Sequence, residues 1–418
     1  MAPNANAEEI CFTRTSTPRT THSFNCYAPA MPRFPQTAES AAALSDRVFS
    51  RLAARAKDHP GPVHPLHVGD TWLEPLPAAM AEAQRTADHR RLHNYAPVQG
   101  QPELLEAITE HLGRRGQQLI DPESVQVTSG ATAGLSVVID ALMDPGDEVL
   151  LPAPFWPLIR GIIEKRGARA VQVPFFDAVH DDDFDAEARL EAAVTERTSA
   201  IYVNTPHNPT GVILPDRVIA AIAAVAERHN LWIISDEVYE EIYFGGMQPA
   251  PVWARADYQD RCVAVHSVSK AYGLAGARVG WAHGPEAAMK SIRGVQTFST
   301  YCAPKPMQLG AARALSEGGE WLQKARDSYD RAAALTAQTL GLRKPDGGTF
   351  VFFDVAEHLR DGEDTLDLLE RCLDAGVLLT PGAASGKDYG SWVRLCFTSV
   401  PPDQLREALE RIAPIVNG

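Results

Sequence analysis

Short apolar runs alternate with helical stretches through the middle of the chain, and this alternation constrains the fold more than any other feature. Helical spacing of apolar residues is clearest at about 132–143 and 215–229. Strands that alternate with helices form a largely parallel sheet covered on both faces, so we predict an α/β architecture. The predicted strands are VQV at 125–127, EVLLPA at 148–153, AVQVPF at 170–175, AIYVNTP at 200–206, LWIISDE at 231–237 and CVAVHS at 262–267.

The residue composition and the spacing of apolar residues change on both sides of this region. Residues 1–35 are rich in Thr, Pro, Ala and Ser without periodicity, which predicts a flexible arm. Apolar residues at helical spacing from about Ala38 to Ala56 predict a helix within 36–60 that belongs to a smaller domain. The chain is long enough for two cores, and we predict a large ligand-binding domain at 61–305 and a small α+β domain at 306–418.

Charge and cysteine content exclude several classes of partner. The formal net charge of −14 argues against nucleic acid or an anionic membrane surface, so any phosphate must be held by a local site. The six cysteines form no C-x-x-C pair and no metal-ligand spacing, which predicts a cytoplasmic protein without a metal site. The N-terminus has no apolar signal region and no run is long enough to span a bilayer, so we expect no membrane role.

Polar residues follow the predicted strands, at the sheet edge where α/β proteins bind ligands. Gly130 follows the first strand and precedes a helix that we expect to begin near Thr132, whose free amides favour phosphate. Asn208 lies in a loop stiffened by two prolines, and Asp236 ends a buried strand where an unpaired carboxylate is costly. Each feature alone also fits an ordinary turn or helix cap.

The stretch HSVSKAYGLAGARVGW, residues 266–281, adds Lys270 and Arg278 among three glycines. Alone, it also fits a surface turn with a solvated lysine. Taken together, an amine nucleophile, a buried carboxylate, a rigid asparagine, a nearby tyrosine and an anion site match the needs of pyridoxal phosphate. That cofactor requires a lysine for its Schiff base, a carboxylate that keeps the pyridine nitrogen protonated, and an anchor for its phosphate.

These motifs, SVSKAYGLAGARVG, SDEVY and NPTG, resemble those of the class I/II aminotransferases among fold-type I pyridoxal-phosphate enzymes. The resemblance runs from about His67 to the C-terminus. It implies an enzyme that moves an amino group between an amino acid and a 2-oxo acid through a Lys270 Schiff base. It also implies that the released Lys270 amine moves a proton between the substrate Cα and the cofactor C4′.

The resemblance implies further roles for the matching residues. The implied contacts with the cofactor phosphate come from Ala131, Thr132, Ser267 and Arg278. The implied contacts with the ring come from Asp236 at the nitrogen, Tyr239 and Asn208 at the hydroxyl oxygen, and Trp156 on the face, although Trp156 also suits a core position. The catalytic residues implied are Lys270, Asp236 and Tyr239.

The resemblance also implies a substrate site and a partner subunit. Arg394 in WVRLCFT matches the residue that binds the substrate α-carboxylate, with Asn208 and the backbone of Gly69 beside it. Tyr95 matches a tyrosine that reaches the cofactor phosphate of the neighbouring subunit, which implies a homodimer with shared active sites. The alternative is that Tyr95 packs within its own subunit.

Two departures from the family pattern indicate an unusual substrate pocket. Ile159 and Ser385 stand where many relatives have aromatic residues, and we identify no arginine for a side-chain carboxylate. An aspartate or glutamate donor is therefore not supported. Other chemistry on the same cofactor, such as β-elimination, oxidative deamination or cyclisation, remains an alternative because one fold serves many reactions. A non-enzymatic sensor in a transcription factor is disfavoured because the sequence shows no basic DNA-binding domain.

Overall fold

The computed structural model describes residues 39–42, 44, 52–85, 87–246, 248–255 and 259–417. The predicted arm at 1–35 lies outside the described residues, as does part of the predicted helix within 36–60. Its described part forms two short helices and a 3₁₀ turn at Ala56–Asp58 rather than one continuous helix. The described residues from Glu39 onward form one compact unit.

Helices and strands alternate along most of the described chain. The helices are α1 (Glu39–Ala42), α2 (Leu52–Arg55), α3 (Pro77–Ala83), α4 (Pro102–Gly116), α5 (Gly130–Leu142), α6 (Pro157–Lys165), α7 (Ala186–Glu191), α8 (Asp216–Arg228), α9 (Val268–Ala271), α10 (Glu286–Ser299), α11 (Lys305–Glu317), α12 (Gly319–Thr339), α13 (Thr365–Asp374) and α14 (Pro402–Val416). The strands are β1 (His64–Pro65), β2 (Val125–Thr128), β3 (Glu148–Ala153), β4 (Arg169–Pro174), β5 (Thr198–Asn204), β6 (Trp232–Asp236), β7 (Cys262–Ser267), β8 (Gly280–His283), β9 (Phe350–Asp354), β10 (Val377–Leu378), β11 (Thr380–Pro381) and β12 (Trp392–Cys396).

The central sheet has seven strands in the order β2-β8-β7-β6-β5-β3-β4. All of its strands run in one direction except β8, which is antiparallel to both β2 and β7. Every predicted strand of the middle region is present, and the α/β prediction is confirmed. Strand β8 was not predicted, because its sequence GWAH begins with glycine and ends with histidine and so does not form an apolar run.

Both faces of this sheet are buried, which explains why its strands are continuously apolar. Successive residues of one strand enter two different hydrophobic clusters. Ile233 packs in a cluster with Leu104 and Trp253, whereas its neighbour Ile234 packs on the opposite face with Leu135. Helices α4 and α5, which carry Leu104 and Leu135, therefore pack on opposite faces of the sheet.

The C-terminal region forms a separate small sheet, β11-β12-β9, with antiparallel pairing. A third hydrophobic cluster joins this sheet to the helices α12, α13 and α14, and it includes Phe350, Leu395 and Leu409. This matches the α+β character expected after residue 305, while the domain boundary itself stays a prediction. No helix in the described part of the chain has the length and apolar character needed to cross a membrane.

Candidate active site

A cavity of about 220 Å³ lies where β5, β6 and β7 end, as expected for a parallel sheet. Most of the residues singled out from the sequence line it. These are Gly69, Ala131, Thr132, Trp156, Asn208, Asp236, Tyr239, Ser267, Lys270, Arg278 and Arg394. Tyr95 is not among the lining residues and is 81% exposed in the single chain.

Lys270 is presented by the short helix α9, which follows β7 directly. Ser267 caps this helix, because its Oγ accepts a hydrogen bond from the main-chain N–H of Ser269 at 3.0 Å. The Lys270 Nζ atom donates to the carbonyl oxygen of Gly69. Burial lowers the pKa of Lys270, although the nearby Asp70 opposes this shift. The neutral, nucleophilic amine is therefore easier to form than on a solvated lysine.

Asp236 ends β6 and is buried beneath the cavity. Its Oδ2 accepts a hydrogen bond from the hydroxyl of Tyr202 at 2.6 Å, and its Oδ1 accepts one from the main-chain N–H of Val238 at 3.3 Å. Burial raises the pKa of Asp236 to about 6 in spite of these two donors. Within the described residues no cationic side chain forms an ion pair with it, so a cationic group on a ligand would stabilise its charge.

Asn204 and Asn208 connect the main chain of Asp236 to Arg394. The Asn204 Nδ2 donates to the main-chain oxygen of Asp236, and its Oδ1 accepts from the main-chain N–H of Asn208, both at 2.8 Å. The Oδ1 of Asn208 in turn accepts a hydrogen bond from Nη1 of Arg394 at 3.1 Å. The loop after β5 is therefore held in place from two sides.

Arg394 is buried on β12, with its guanidinium 4.3 Å from the centre of the Phe350 ring. Its Nη2 donates to the carbonyl oxygen of His67 at 3.1 Å. The Nε atom is buried and has no hydrogen-bond partner among the described residues. The charge of this arginine is thus held by neutral acceptors alone, which suits a carboxylate ligand.

An anion cradle lies at the start of α5. This helix begins at Gly130 rather than near Thr132, and Gly130 adopts a left-handed φ of +78°. The amides of the first turn have no acceptor within the helix, and the Arg278 guanidinium lies beside them. A Cβ at Gly130 would come within 2.8 Å of the Arg278 Cζ, so only glycine leaves room for the arginine.

The two departures from the family pattern do not line the cavity. Ile159 is a residue of α6, and its side chain is fully buried in the core. Ser385 is also buried, and its carbonyl oxygen accepts a hydrogen bond from the main-chain N–H of Phe155 at 2.9 Å. Neither side chain therefore lines the cavity in the single chain, and the expectation of an unusual substrate pocket stays a prediction.

Sequence reasoning missed several residues of the site. Tyr202 and Asn204 lie two positions apart on one face of β5, next to Asp236 of β6. Asn204 ends its strand just as Asp236 does, and that shared position was the available signal. Other lining residues that were not predicted are Val68, Leu135, Val238, Ser269, Ala275 and Phe350.

The side chains that line the cavity fit pyridoxal phosphate. A lysine, two arginines and the N-terminus of a helix face a single buried carboxylate, so the cavity favours ligands with anionic groups. The Nε atom of Arg394 has no hydrogen-bond partner among the described residues and is suited to an anion. Asp236 forms no ion pair with a described residue and is suited to a cationic nitrogen. A ring nitrogen, a phosphate and a substrate carboxylate together meet these needs.

Comparisons with known proteins agree with this geometry. The family model for aminotransferase class I and II matches residues 62–412, which include every residue that lines the cavity. The arginine–pyruvate transaminase of Pseudomonas aeruginosa is 34% identical over 356 residues, covering 83% of this chain and 88% of that protein. The aspartate/prephenate aminotransferase of Thermus thermophilus is 32% identical and covers 81% of this chain and 88% of its own length.

Solved structures show the same fold. The crystal structure of the aspartate aminotransferase from Rhizobium meliloti superposes with a TM-score of 0.84 at 29% identity. The superposition covers 92% of this chain and 99% of that one.

Proposed function

This chain belongs to the class I and II aminotransferases, and we propose that it transfers the amino group of an amino acid with an uncharged side chain at the cavity around Lys270. As a member of this family it is a pyridoxal-phosphate-dependent enzyme of fold type I that acts on an amino acid and a 2-oxo acid. The observation that carries the proposal is that, among the described residues, the charged side chains lining the cavity are only those of Asp236, Lys270, Arg278 and Arg394.

We assign the cofactor-holding roles to residues of three elements. Arg278 and the first-turn amides of α5 hold the phosphate, with Ser267 beside them. The ionised Asp236 would keep the ring nitrogen protonated, Tyr239 and Asn208 would donate hydrogen bonds to the ring oxygen, and Trp156 would pack on the ring face. When bound, pyridoxal phosphate supplies an electron sink for the charge left when the substrate Cα loses a proton.

Lys270 moves the proton in this assignment. A general base must be neutral to accept the proton from the substrate Cα, and burial favours the neutral amine by lowering the pKa of Lys270. The Gly69 carbonyl oxygen accepts a hydrogen bond from Nζ and so orients it toward the cavity. The same amine returns the proton as a general acid.

Arg394 binds the substrate α-carboxylate in this assignment. Its planar guanidinium suits a bidentate pair with a carboxylate, and its orientation is set by Asn208 and the His67 carbonyl oxygen. Gly69 lies beside this site, and a Cβ there would clash with the ring of Phe350. The backbone of Gly69 is therefore able to approach the ligand closely.

The proposed substrate class follows from the remaining walls of the cavity. Lys270, Arg278 and Arg394 are each assigned to another group, and the described residues provide no further cation for a side-chain carboxylate. Val68, Leu135 and Phe350 add apolar surface. An acidic or basic side chain would lose its hydration there without gaining an opposite charge.

We also propose that the working unit is a homodimer with shared active sites. Tyr95 is 81% exposed and packs edge-on against Tyr301 at 5.2 Å, and Phe298, three residues before Tyr301 in the chain, is 94% exposed. Exposed aromatic residues of this kind favour a protein partner. The cytoplasmic location inferred from the cysteines stays a prediction.

A panel of amino acids tests the proposed substrate class. The cofactor-loaded enzyme is mixed with each amino acid while the cofactor spectrum and the products are followed. We expect stoichiometric conversion to the pyridoxamine form with uncharged amino acids, and 2-oxo acid as the product. Faster conversion by aspartate or arginine would contradict the substrate class. Ammonia release without an acceptor, or oxygen consumption, would instead support the alternative chemistry.

A further inference from the structure

Tyr202 makes a short hydrogen bond to the carboxylate at the floor of the cavity. Its hydroxyl donates to Oδ2 of Asp236 at 2.6 Å across 34 residues of sequence. The two side chains come from adjacent strands, where Tyr202 pairs with Ile234 and Asn204 pairs with Asp236. The carboxylate is thus fixed by one neighbour on β5, and the main chain behind it is fixed by the other.

The surroundings of Tyr202 favour a permanent donor. The residue is only 2% exposed and packs in an apolar cluster with Leu135 and Val265. Burial and the neighbouring Asp236 raise its pKa well above the ordinary tyrosine value, so the hydroxyl stays protonated at neutral pH. A phenol in this state can only donate toward an ionised carboxylate.

We propose that Tyr202 is a positioning residue that stabilises the ionised form of Asp236 and thereby keeps the shared proton on the cofactor ring nitrogen. This inference rests on the assignment of Asp236 to the ring nitrogen made under the proposed function. Tyr202 does not line the cavity, so it acts through Asp236 and not on the substrate.

The direction of the effect follows from which form of Asp236 each neighbour favours. Burial favours the neutral acid, which would take the proton from the ring nitrogen. Hydrogen bonds from Tyr202 and from the Val238 main chain favour the carboxylate. The hydrogen bond from Val238 is long at 3.3 Å, whereas that from Tyr202 is 2.6 Å. Tyr202 therefore does more than Val238 to stabilise the ionised carboxylate against the effect of burial. Tyr239, the other titratable group that faces Asp236, also has a raised pKa and carries no charge at neutral pH.

The first experiment measures Asp236 in the apoenzyme. Carboxyl resonances of ¹³C-labelled aspartate are titrated by NMR, and the Asp236 signal is assigned by its loss in Asp236→Asn. We expect Tyr202→Phe to raise the pKa of Asp236 by about one unit, which is a tenfold change in proton affinity. An unchanged titration in a folded Tyr202→Phe protein would overturn the proposal.

Tyr389→Phe is the matched control. Tyr389 is also buried, and its hydroxyl donates to Oδ1 of Asp177 at 3.1 Å, away from the cavity. Like Tyr202→Phe, this variant loses a tyrosine hydroxyl that donates a hydrogen bond to an aspartate. We expect no change in the pKa of Asp236. An equal shift in both variants would mean that Tyr202 acts only through general loss of packing.

The second experiment measures the cofactor-loaded enzyme with ¹⁵N in the pyridine ring. We expect the nitrogen to be protonated in the unchanged protein, and its resonance to move toward the unprotonated value in Tyr202→Phe. An unprotonated nitrogen in the unchanged protein would refute the role of Asp236 itself. A protonated nitrogen that does not respond to Tyr202→Phe would refute only the role of Tyr202.

A ring-fluorinated tyrosine at position 202 covers the case in which Tyr202→Phe fails to fold. Fluorine makes the phenol a stronger hydrogen-bond donor without removing it. The pKa of Asp236 and the resonance of the ring nitrogen should therefore both move in the direction opposite to that expected for Tyr202→Phe. A lowered pKa of Asp236 would support the proposal, and an unchanged pKa of Asp236 would contradict it.

Discussion

The guanidinium of Arg394 donates a hydrogen bond from Nη1 to Oδ1 of Asn208, 3.1 Å away. This contact joins the residue assigned to the substrate carboxylate with a residue assigned to the cofactor ring. It crosses from the C-terminal sheet to the loop after β5, so the two halves of the site are oriented together.

Arg394→Lys should weaken substrate binding more than cofactor binding. Lysine keeps the charge but loses the planar fork, so a carboxylate gains one contact where it had two. We expect KM for the amino acid to rise about tenfold to hundredfold, since hydrogen bonds between charged groups contribute about 1.5–3 kcal/mol. Steady-state kinetics and cofactor titration provide the comparison. Arg406→Lys, on the exposed face of α14, is the control, and an unchanged KM in Arg394→Lys would contradict the assignment.

Gly130→Ala should weaken cofactor binding. The added Cβ meets the Arg278 guanidinium, with 2.8 Å to Cζ, and the left-handed φ of +78° strains any residue with a side chain. We expect cofactor affinity to fall by about tenfold or more, because the arginine must leave the anion cradle. Equilibrium titration of the apoenzyme measures this. Gly294→Ala in α10, where a Cβ meets open space, is the control and should bind as the unchanged protein does. Equal cofactor affinity in the two variants would contradict the assignment of Arg278 and the start of α5 to the cofactor phosphate.

The residues that the sequence predicted share one property, which is that each directly follows a recognisable strand or lies in a local motif. Lys270 comes three residues after the end of β7, and Asp236 ends β6. Tyr202 had no such signal, because its partner lies 34 residues away and only the strand order brings the two together. Ile159 shows the opposite case, since the family pattern singled it out, but its side chain is buried in the core and does not line the cavity.

Asp236 should make the stability of the apoenzyme depend on pH. Burial raises its pKa from 3.8 to about 6, so the folded protein binds this proton more tightly than the unfolded chain. The resulting stabilisation is complete below the unfolded pKa and is lost as the pH rises through the folded pKa. Between about pH 4 and about pH 7, we expect the free energy of unfolding to fall by about 2 kcal/mol relative to Asp236→Asn.

Chemical denaturation of both apoenzymes across this pH range measures the difference. Pyridoxal phosphate should reduce the pH dependence of this stability difference, because a protonated ring nitrogen compensates the charge of Asp236. A difference that stays constant with pH would show that Asp236 remains ionised without help from a ligand.

Mixed dimers test whether Tyr95 serves the neighbouring subunit. Tyr95→Ala and Lys270→Ala should each be inactive alone, and exchange of subunits should restore activity. Random exchange makes half of the dimers mixed, each with one complete site, so we expect about a quarter of the activity of the unchanged protein. No recovery in verified mixed dimers would mean that Tyr95 acts within its own subunit.

Sodium borohydride reduction of the cofactor-loaded enzyme, followed by peptide mass spectrometry, identifies the lysine that holds the cofactor. Reduction makes the link between the amine and the cofactor permanent, so the modified peptide carries the added mass. We expect that mass on Lys270 alone, and we expect Lys270→Ala to lose both the modification and the turnover while Lys290→Ala, on the surface of α10, keeps both. Modification of a different lysine, or turnover without Lys270, would contradict the proposed active site.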